Sequence, residues 1–221
     1  MTNSIKNAIV IGATGLVGQR LIEQLNLLAD CEKITVVVRR ENPDFLKFKK
    51  VEQFVLDDFL LLNDQDVSDY THAFSCLGTT IKKAGSKEAF YNIDFEINAH
   101  FADLFEMTET HLLLVSAMGA KASSPIFYNQ VKGELEDYIQ KLNLYRFSII
   151  RPSLLLGERN EKRFLEDVTQ KLYGKFSHLV PNSFKYKPVT AQQVAHTMVE
   201  AAQTQTQKIE IYDNLRIQNS K

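Results

Sequence analysis

Three side chains in this sequence have the types and order that proton exchange with a carbonyl or alcohol oxygen requires. Tyr128 and Lys132 are four positions apart in Pro125 to Leu142, where the apolar spacing predicts a helix, so both lie on one helix face. A lysine ammonium beside a phenol stabilises the phenolate and suits the tyrosine to acid–base work at neutral pH. Ser116 directly follows a predicted strand and would hydrogen-bond the same substrate oxygen. Because such a Tyr–Lys spacing also arises by chance, its weight depends on where the pair lies.

A glycine-rich turn near the start of the chain is the second feature with chemical meaning. Gly12, Gly15 and Gly18 follow the apolar run Ala8 to Ile11 and open an amphipathic stretch, which predicts strand, tight turn and helix. Gly12 would turn the chain, Gly15 would let a pyrophosphate approach the backbone, and Gly18 would let the helix pack closely; an ordinary glycine turn is the alternative. The N–H groups that open the helix would face the anion, which makes the other turn residues cofactor contacts: Thr14, Leu16 and Val17.

The rest of the chain alternates short apolar strands with helices. Such strands argue for an α/β fold, a Rossmann-type doubly wound parallel sheet with helices on both faces. Residues 1–221 are predicted to form one dinucleotide-binding domain, with a small C-terminal substrate lobe at about 157–190 and a helical piece near Glu161–Tyr173. Further helices are predicted from Ser86 to Met107 and, behind a capping box, from Thr190 to Ala202, and the tail after Asn214 is expected to fray. The predicted strands are Ala8–Ile11, Lys33–Val38, Val51–Leu56, His72–Leu77, His111–Val115, Tyr145–Ile150 and Ile209–Tyr212.

Ligands of such sheets bind beyond the carboxyl ends of the strands, so the residues after each strand are candidates for binding. Arg39 and Arg40 end the second strand, where an NAD site would place an acidic residue, and two guanidinium groups suit the 2′-phosphate of NADP(H). NADP(H) is therefore favoured over NAD(H), with a solvated basic pair as the alternative. Asp57 and Asp58 end the third strand near the expected adenine, although a helix cap explains Asp58 equally well.

The fourth predicted strand ends in a segment that could cover the cofactor. Gly78 permits close backbone approach, Thr79 offers a hydroxyl, and Cys76 and Leu77 precede them. Cys76 is more consistent with a small buried residue than with a nucleophile, because no histidine is predicted near it. Asn98, on the long helix, would either orient Lys132 through water or face solvent.

Composition narrows the partners of the protein. The 221 residues are 44% hydrophobic and carry 26 basic and 27 acidic side chains, a formal net charge of −1, which calls for neither nucleic acid nor an anionic membrane. The two cysteines suggest no disulfide framework, the five histidines show no metal-ligand spacing, and no stretch has the roughly 20 apolar residues of a membrane span. The first strand starts close to the N-terminus, which leaves no room for a signal peptide. We therefore expect a cytoplasmic protein with a small-molecule substrate.

With the glycine turn and with Ser116, Tyr128 and Lys132 at these positions, the chain resembles the short-chain dehydrogenase/reductase superfamily, in particular its extended or atypical members. Residues 75–80, 128–134 and 151–157 look like those of the Tat-interacting-protein-like oxidoreductases and their bacterial relatives. The resemblance implies that Tyr128 and Lys132 are the catalytic pair, that Lys132 also holds the nicotinamide ribose, and that Ser116 assists. It further implies that three consecutive residues lie alongside the nicotinamide: Arg151, Pro152 and Ser153.

Two functions remain at this point. The first is an NADP(H)-dependent oxidoreductase acting on a small carbonyl or alcohol, which the retained serine, tyrosine and lysine favour. The second is a regulatory module that binds the dinucleotide, turns over little and reports redox state to a protein partner. The short stretch from Gly157 to Pro188 favours the second, and it is also short for gripping a nucleotide sugar.

Overall fold

A parallel sheet of seven strands forms the centre of the protein in a computed structural model that describes residues 3–156 and 185–220. Its strands are β1 (Asn7–Ile11), β2 (Lys33–Val38), β3 (Val51–Val55), β4 (His72–Ser75), β5 (His111–Val115), β6 (Arg146–Ile150) and β9 (Ile209–Tyr212). Their order in the sheet is β3-β2-β1-β4-β5-β6-β9, and every neighbouring pair is parallel. A separate short parallel pair, β7 (Leu155–Leu156) and β8 (Val189–Thr190), lies between β6 and β9 in the chain.

The central strands are buried on both faces because helices cover the sheet on both sides. Side chains alternate along β1, so Ala8 and Val10 pack into one core while Ile9 and Ile11 pack into the other. This explains why the central strands are largely apolar runs, whereas the edge strands β3 and β9 also carry polar and exposed residues.

Seven helices lie within the described ranges. Helices α1 and α6 contribute to one core, and α4 and α5 contribute to the other. Thr190 and Gln193 form the predicted capping box at the start of α6. None of these helices is long and apolar enough to cross a bilayer. The helices are α1 (Leu16–Leu27), α2 (Ile81–Ala84), α3 (Lys87–Tyr91), α4 (Ile97–Asp103), α5 (Phe127–Ile139), α6 (Ala191–Thr204) and α7 (Asn214–Asn219).

The order of the first six strands is that of the dinucleotide-binding doubly wound sheet, and it confirms the predicted fold class. The chain direction across the sheet reverses between β1 and β4, and the crevice at their carboxyl ends is where ligands of such sheets bind. The predicted substrate lobe at about 157–190, with its helical piece near Glu161–Tyr173, falls almost entirely on residues 157–184, which lie outside the described residues.

The long helix predicted from Ser86 to Met107 is instead three segments. Helix α3 passes into a wide π-helical turn, Asn92–Glu96, before α4 begins, and α4 ends at Asp103. The side-chain amide of Asn98 donates to the main-chain carbonyl oxygens of Ile93 (2.9 Å) and Asp94 (3.4 Å), and so holds the wide turn. Apolar spacing alone cannot reveal such a turn, because the inserted residue shifts the helical phase only locally.

The tail after Asn214, predicted to fray, forms helix α7. The carboxylate of Asp213 accepts from the Arg216 amide and caps the helix. The Asn214 side chain accepts from the Ser153 amide at 2.8 Å and donates to the carbonyl oxygen of Lys187 at 2.8 Å. These contacts join the chain end to the segment after β6, and sequence reasoning missed them because the partners are far apart in the chain.

Two buried histidines, His72 and His111, lie side by side at the amino ends of β4 and β5, with ring centroids 5.5 Å apart. The His72 ring contacts the carbonyl oxygen of Ala202, and the His111 ring contacts the Ser148 hydroxyl. Burial lowers the pKa of His72 to about 4 and, together with the neighbouring charges of His72 and Arg146, lowers the pKa of His111 to about 3. Both rings are therefore neutral at neutral pH.

We predict that the free energy of unfolding is highest above about pH 6.5 and falls as the pH is lowered toward 4. The unfolded chain takes up protons on these histidines, with an ordinary pKa of 6.5, while the folded protein excludes them. His72→Gln should make this fall less steep. Urea denaturation at pH 7.5, 6 and 5 measures how steeply the free energy of unfolding falls in the wild-type protein and in His72→Gln. The contribution of the carboxylates is the same in both proteins and cancels in the difference. Equal slopes would contradict the assignment.

Candidate functional site

The turn after β1 is shaped by two glycines that have no room for a side chain. Gly12 has a positive φ of 75°, and a Cβ there would overlap the main chain of Cys76 and Leu77 at the end of β4. A Cβ on Gly18 would overlap the carbonyl oxygen of Gly12. These two positions therefore bring the ends of β1 and β4 and the start of α1 into close contact.

Gly15 differs from the other two because its conformation does not require glycine. It is the N-cap of α1 with φ −77° and ψ 172°, an extended geometry that any residue adopts. Apart from its own neighbours in the chain, a Cβ there would meet only the Gly12 carbonyl oxygen, at 3.3 Å. The absence of a side chain at Gly15 thus leaves open space at the start of α1, as close approach of a ligand would require.

The first turn of α1 has the properties of an anion-binding helix terminus. No side chain in the described ranges caps it, and it contains no acidic residue. Thr14 and Leu16 are exposed, whereas Val17 packs into the core, so Val17 presents only its main chain to a ligand.

A cleft of about 840 Å³ lies over the carboxyl ends of the strands and joins this turn to the ends of β2, β3 and β4. It brings together seven of the eighteen residues that the sequence assigned to the cofactor, and adds a wall from α3 and the π-helical turn that sequence reasoning missed. The predicted members are Gly12, Thr14, Arg39, Arg40, Asp57, Asp58 and Leu77, and the added ones include Phe59, Ala89, Asn92, Ile93 and Ile97.

Charged side chains from β2 and β3 meet at one end of this cleft. Arg39 and Arg40 are exposed, and neither forms an ion pair with any residue in the described ranges. The carboxylate of Asp58 caps the following helical turn by accepting from the Leu60 amide at 3.0 Å, which is the structural alternative that the sequence left open. Asp57 is exposed and lines the cleft beside them.

Lys132 lies in a buried ion pair at the other side of the switch point. Its Nζ is 2.7 Å from Oδ1 of Asp94, and the two side chains are 4% and 0% exposed. Oδ2 of Asp94 accepts from the Thr79 amide at 2.9 Å. A Cβ on Gly78 would lie 3.1 Å from Asp94 Oδ1 and 3.5 Å from Lys132 Nζ, so the segment after β4 passes directly over the pair.

The segment after β4 uses its polar groups differently from the sequence expectation. β4 ends at Ser75, so Cys76 and Leu77 belong to the loop, and Thr79 meets Asp94 through its amide. The Cys76 thiol packs against the Met198 sulfur at 3.8 Å, and burial raises its pKa to about 12. Cys76 therefore acts as a packing residue, in keeping with the sequence interpretation.

Tyr128 begins the same helix as Lys132 and lies one turn before it, half-buried. Its ring packs against Phe90 of α3, with centroids 5.7 Å apart. Its hydroxyl forms no hydrogen bond with any residue that the structure describes. The phenol is thus fixed by its ring and leaves its hydroxyl available.

Ser116 requires a correction, because the structure does not direct its hydroxyl to a substrate oxygen. The hydroxyl donates to Oε1 of Glu136, and a hydroxyl has only one proton to donate. Glu136 is buried, and both its oxygens accept from the Arg151 guanidinium, whose pKa these hydrogen bonds raise above its ordinary value. Ser116 and Arg151 therefore join the ends of β5 and β6 to α5.

Ser153 also has a structural partner in place of the expected cofactor contact. Its hydroxyl donates to the Lys187 carbonyl oxygen at 2.7 Å, and its amide donates to Asn214. The carbonyl oxygen of Pro152 accepts from the Met118 amide at 2.8 Å. Residues 151–153 thus hold the return of the chain at 185–187 to the end of the sheet.

Sequence reasoning missed Asp94 and Glu136, and a signal for both was present. Asp94 lies at helical spacing between Phe90 and Asn98, on the face that was predicted to be apolar. Glu136 is four residues after Lys132 on the face that carries Tyr128. A carboxylate on a buried helix face requires a partner, so each one marked an ion pair. Asn98 is 1% exposed, so the solvent-facing alternative for it was wrong.

Comparison with solved structures shows which proteins share this fold. The fold is similar to that of the human epimerase family protein SDR39U1 with NADPH (TM-score 0.64, 15% identity, 92% of this chain and 72% of that one). It is also similar to that of UDP-glucuronic acid 4-epimerase from Bacillus cereus in complex with NAD (TM-score 0.67, 12% identity, 93% of this chain and 76% of that one). An oxidoreductase of the short-chain dehydrogenase/reductase family from Burkholderia thailandensis has a similar fold, with a TM-score of 0.65 and 14% identity. The match covers 98% of this chain and 94% of that one. The protein therefore has the epimerase-like fold of the short-chain dehydrogenase/reductases.

Relatives in sequence identify the family more narrowly, although no protein-family model matches the chain. Protein FMP52-1, mitochondrial, of Scheffersomyces stipitis is 34% identical over 204 residues, which cover 91% of this chain and 90% of that protein. Protein FMP52, mitochondrial, of Candida albicans is 36% identical over 200 residues, covering 88% and 86%. The chain belongs to the FMP52 family.

The same relatives overturn the predicted cytoplasmic location. Three FMP52 proteins that are 32–36% identical over most of the chain are named mitochondrial. The prediction was wrong because it used the net charge and the position of the first strand, and neither property of a folded domain specifies its compartment.

The glycine geometry generates a prediction about stability. Gly18→Ala should lower the free energy of unfolding by about 1–3 kcal/mol, because even one methyl group overlaps the Gly12 carbonyl oxygen. Gly15→Val should cost less than Gly18→Ala, about 1 kcal/mol, although it adds more atoms, because Gly15 is extended and its Cβ would lie 3.3 Å from the Gly12 carbonyl oxygen, against 2.3 Å for Gly18. Urea denaturation of both variants gives the ranking, and a larger loss for Gly15→Val would contradict the assignment of these two positions.

Proposed function

We propose that the protein is an NADP(H)-dependent oxidoreductase of the short-chain dehydrogenase/reductase type that acts on a small carbonyl or alcohol. The observation that carries the proposal is the position of Lys132. Its buried ammonium lies beneath Gly78 at the switch point, one helical turn from a phenol whose hydroxyl has no partner among the described residues.

The residues at the switch point fit a dinucleotide. The open space at Gly15 and the uncapped amides of α1 suit a diphosphate, and a side chain at Gly15 would fill that space. With the diphosphate there, the two halves of the dinucleotide extend to opposite sides of the switch point. One half would reach Arg39 and Arg40 at β2, and the other would reach Gly78 and Lys132 beyond β4.

The preference for NADP(H) rests on the two unpaired arginines. A guanidinium binds a phosphate through two parallel hydrogen bonds, and neither arginine is already engaged by a carboxylate within the described part of the chain. Asp57 also lines the cleft, and its carboxylate could accept hydrogen bonds from the ribose hydroxyls of NAD(H). NAD(H) is therefore the less favoured alternative cofactor.

The chemistry then divides among few groups. The bound nicotinamide would supply or accept the hydride. Lys132 would hold the adjoining ribose with N–H groups that Asp94 leaves free, and Tyr128 would exchange its hydroxyl proton with the substrate oxygen. Ser116 has its proton engaged by Glu136, so we assign it a supporting role through α5.

A second candidate function is a dinucleotide-binding regulatory module that acts through a protein partner and turns over little. Two observations favour it. The Ser116 hydroxyl is engaged by Glu136, and the Lys132 charge is compensated by Asp94, so two of the three groups expected to assist chemistry already have partners.

The cofactor proposal predicts that NADPH binds more tightly than NADH, by about tenfold or more, because a charge-assisted contact contributes roughly 1.5–3 kcal/mol. Arg39→Ala should narrow the difference. Gly15→Val should lose binding of both dinucleotides. Fluorescence titration measures the affinities. The control is Arg216→Ala, which removes an arginine of α7 that is paired with Glu210. Equal affinities for NADPH and NADH would show that the basic pair is only solvated.

The mechanism predicts that Tyr128→Phe lowers turnover by about 10²–10⁴-fold while dinucleotide affinity is retained, because only the transferable proton is removed and ring packing against Phe90 remains. The matched control is Tyr138→Phe on the same helix, whose hydroxyl bonds Asp103. The assay is NADPH oxidation with a panel of small aldehydes, ketones and quinones.

Two outcomes separate the candidate functions. Wild-type turnover that Tyr128→Phe leaves unchanged would show that the mechanism is wrong. Tight NADPH binding without turnover of any panel member would favour the regulatory module.

A further inference from the structure

We propose that Asp94 is a positioning residue for Lys132, which it aims at the nicotinamide-side ribose of a bound dinucleotide. This inference rests on the proposed function. It assigns a role to a side chain for which the ordinary explanation is a structural ion pair that joins the π-helical turn to α5.

The first argument is the number of donors on the lysine. An ammonium has three N–H groups and no acceptor. The ammonium forms an ion pair with Asp94, with Nζ 2.7 Å from Oδ1, and no residue in the described ranges forms a hydrogen bond with Nζ. Even if one N–H turns toward Asp94, two donors remain, in a side chain that is only 4% exposed and lies beneath the exposed backbone of Gly78. Buried donors of this kind require acceptors, and adjacent ribose hydroxyls supply two.

The second argument is that Asp94 is itself held rigidly. Its Oδ2 accepts from the Thr79 amide at 2.9 Å, which fixes the carboxylate to the segment after β4. Its main-chain carbonyl accepts from the Asn98 amide, and the Ser75 hydroxyl at the end of β4 donates to Asn98. A lysine has four rotatable bonds in its stem, so its ammonium is directional only when a fixed anion holds it.

The third argument is what the same carboxylate touches. One oxygen holds Lys132 on α5 and the other holds the backbone that ends β4, so Asp94 fixes the distance between two elements that border the proposed nicotinamide half. A purely structural pair would support the whole domain, and its loss would weaken the binding of every ligand. A positioning pair would matter only to ligands that reach Lys132.

The experiment compares two ligands in Asp94→Asn, which keeps the shape and an acceptor for Thr79 but removes the charge. NADPH contains the nicotinamide riboside, whereas adenosine 2′,5′-bisphosphate has only the adenosine half. The Kd of NADPH should rise about tenfold or more, as expected for a charge-assisted contact, while the Kd of the bisphosphate changes less than about twofold. Asp103→Asn, which loses a carboxylate bonded to Tyr138 between α4 and α5, should change neither.

A second variant keeps both charges in case Asp94→Asn does not fold. Asn98→Ala releases the carbonyl groups of the π-helical turn. It should raise the Kd of NADPH and not that of the bisphosphate, by less than Asp94→Asn does. In a Lys132→Met background, Asp94→Asn should cause no further loss of NADPH affinity, because it acts through Lys132. The double variant removes the buried pair as a whole and leaves no uncompensated charge.

The outcomes distinguish this inference from the proposal on which it depends. If the wild-type protein binds neither ligand, the proposed dinucleotide site is wrong and the inference falls with it. If the wild-type protein binds both and Asp94→Asn weakens both equally or neither, only the positioning role is overturned. A further loss in the Lys132→Met background would show that Asp94 acts independently of the lysine.

Discussion

The buried charge of Asp94 constrains much of the structure around the switch point. A carboxylate that is completely removed from water is stable only if a cation and hydrogen-bond donors replace its hydration. Lys132 supplies the cation and Thr79 supplies a donor, so α5 and the segment after β4 must both reach the same point. The π-helical turn is the local distortion that brings Asp94 there, and Asn98 stabilises the carbonyl groups that the wide turn leaves poorly bonded.

Close backbone contact at Gly12 and Gly18 produces the neighbouring half of the site. Because Gly12 lies against the end of β4 and Gly18 lies against Gly12, the start of α1 is held at the centre of the carboxyl edge. The cleft is the space that remains between this helix start, the ends of β2 and β3, and the wall formed by α3 and the π-helical turn. Packing and ligand access thus make different demands on glycines that look equivalent in sequence.

The sequence predicted the sheet well because most strands are short, largely apolar runs, and the parallel order follows once helices separate the strands. Four of its cofactor candidates, Gly12, Arg39, Asp57 and Leu77, line one cleft, since the carboxyl ends of parallel strands share an edge. It did not predict that Ser116 donates to Glu136, because partners of a buried charge are chosen in three dimensions. The π-helical turn was missed because it shifts the helical phase only locally, and α7 was missed because Asn214 bonds residues that are far away in the chain.

The polar groups that line the cleft after β2 and those that lie beyond β4 and β5 differ in how far they are already paired. At the β2 end, Arg39 and Arg40 have no ion-pair partner among the described residues, so binding a phosphate there breaks no existing interaction. On the β4 side, Lys132 is compensated and Ser116 is engaged, so these groups are oriented before any ligand arrives and do little on their own. Of the three groups that the sequence nominated for chemistry, Tyr128 alone has a hydroxyl without a described partner. The difference between an oxidoreductase and a dinucleotide-binding module therefore depends on whether a substrate oxygen reaches that hydroxyl.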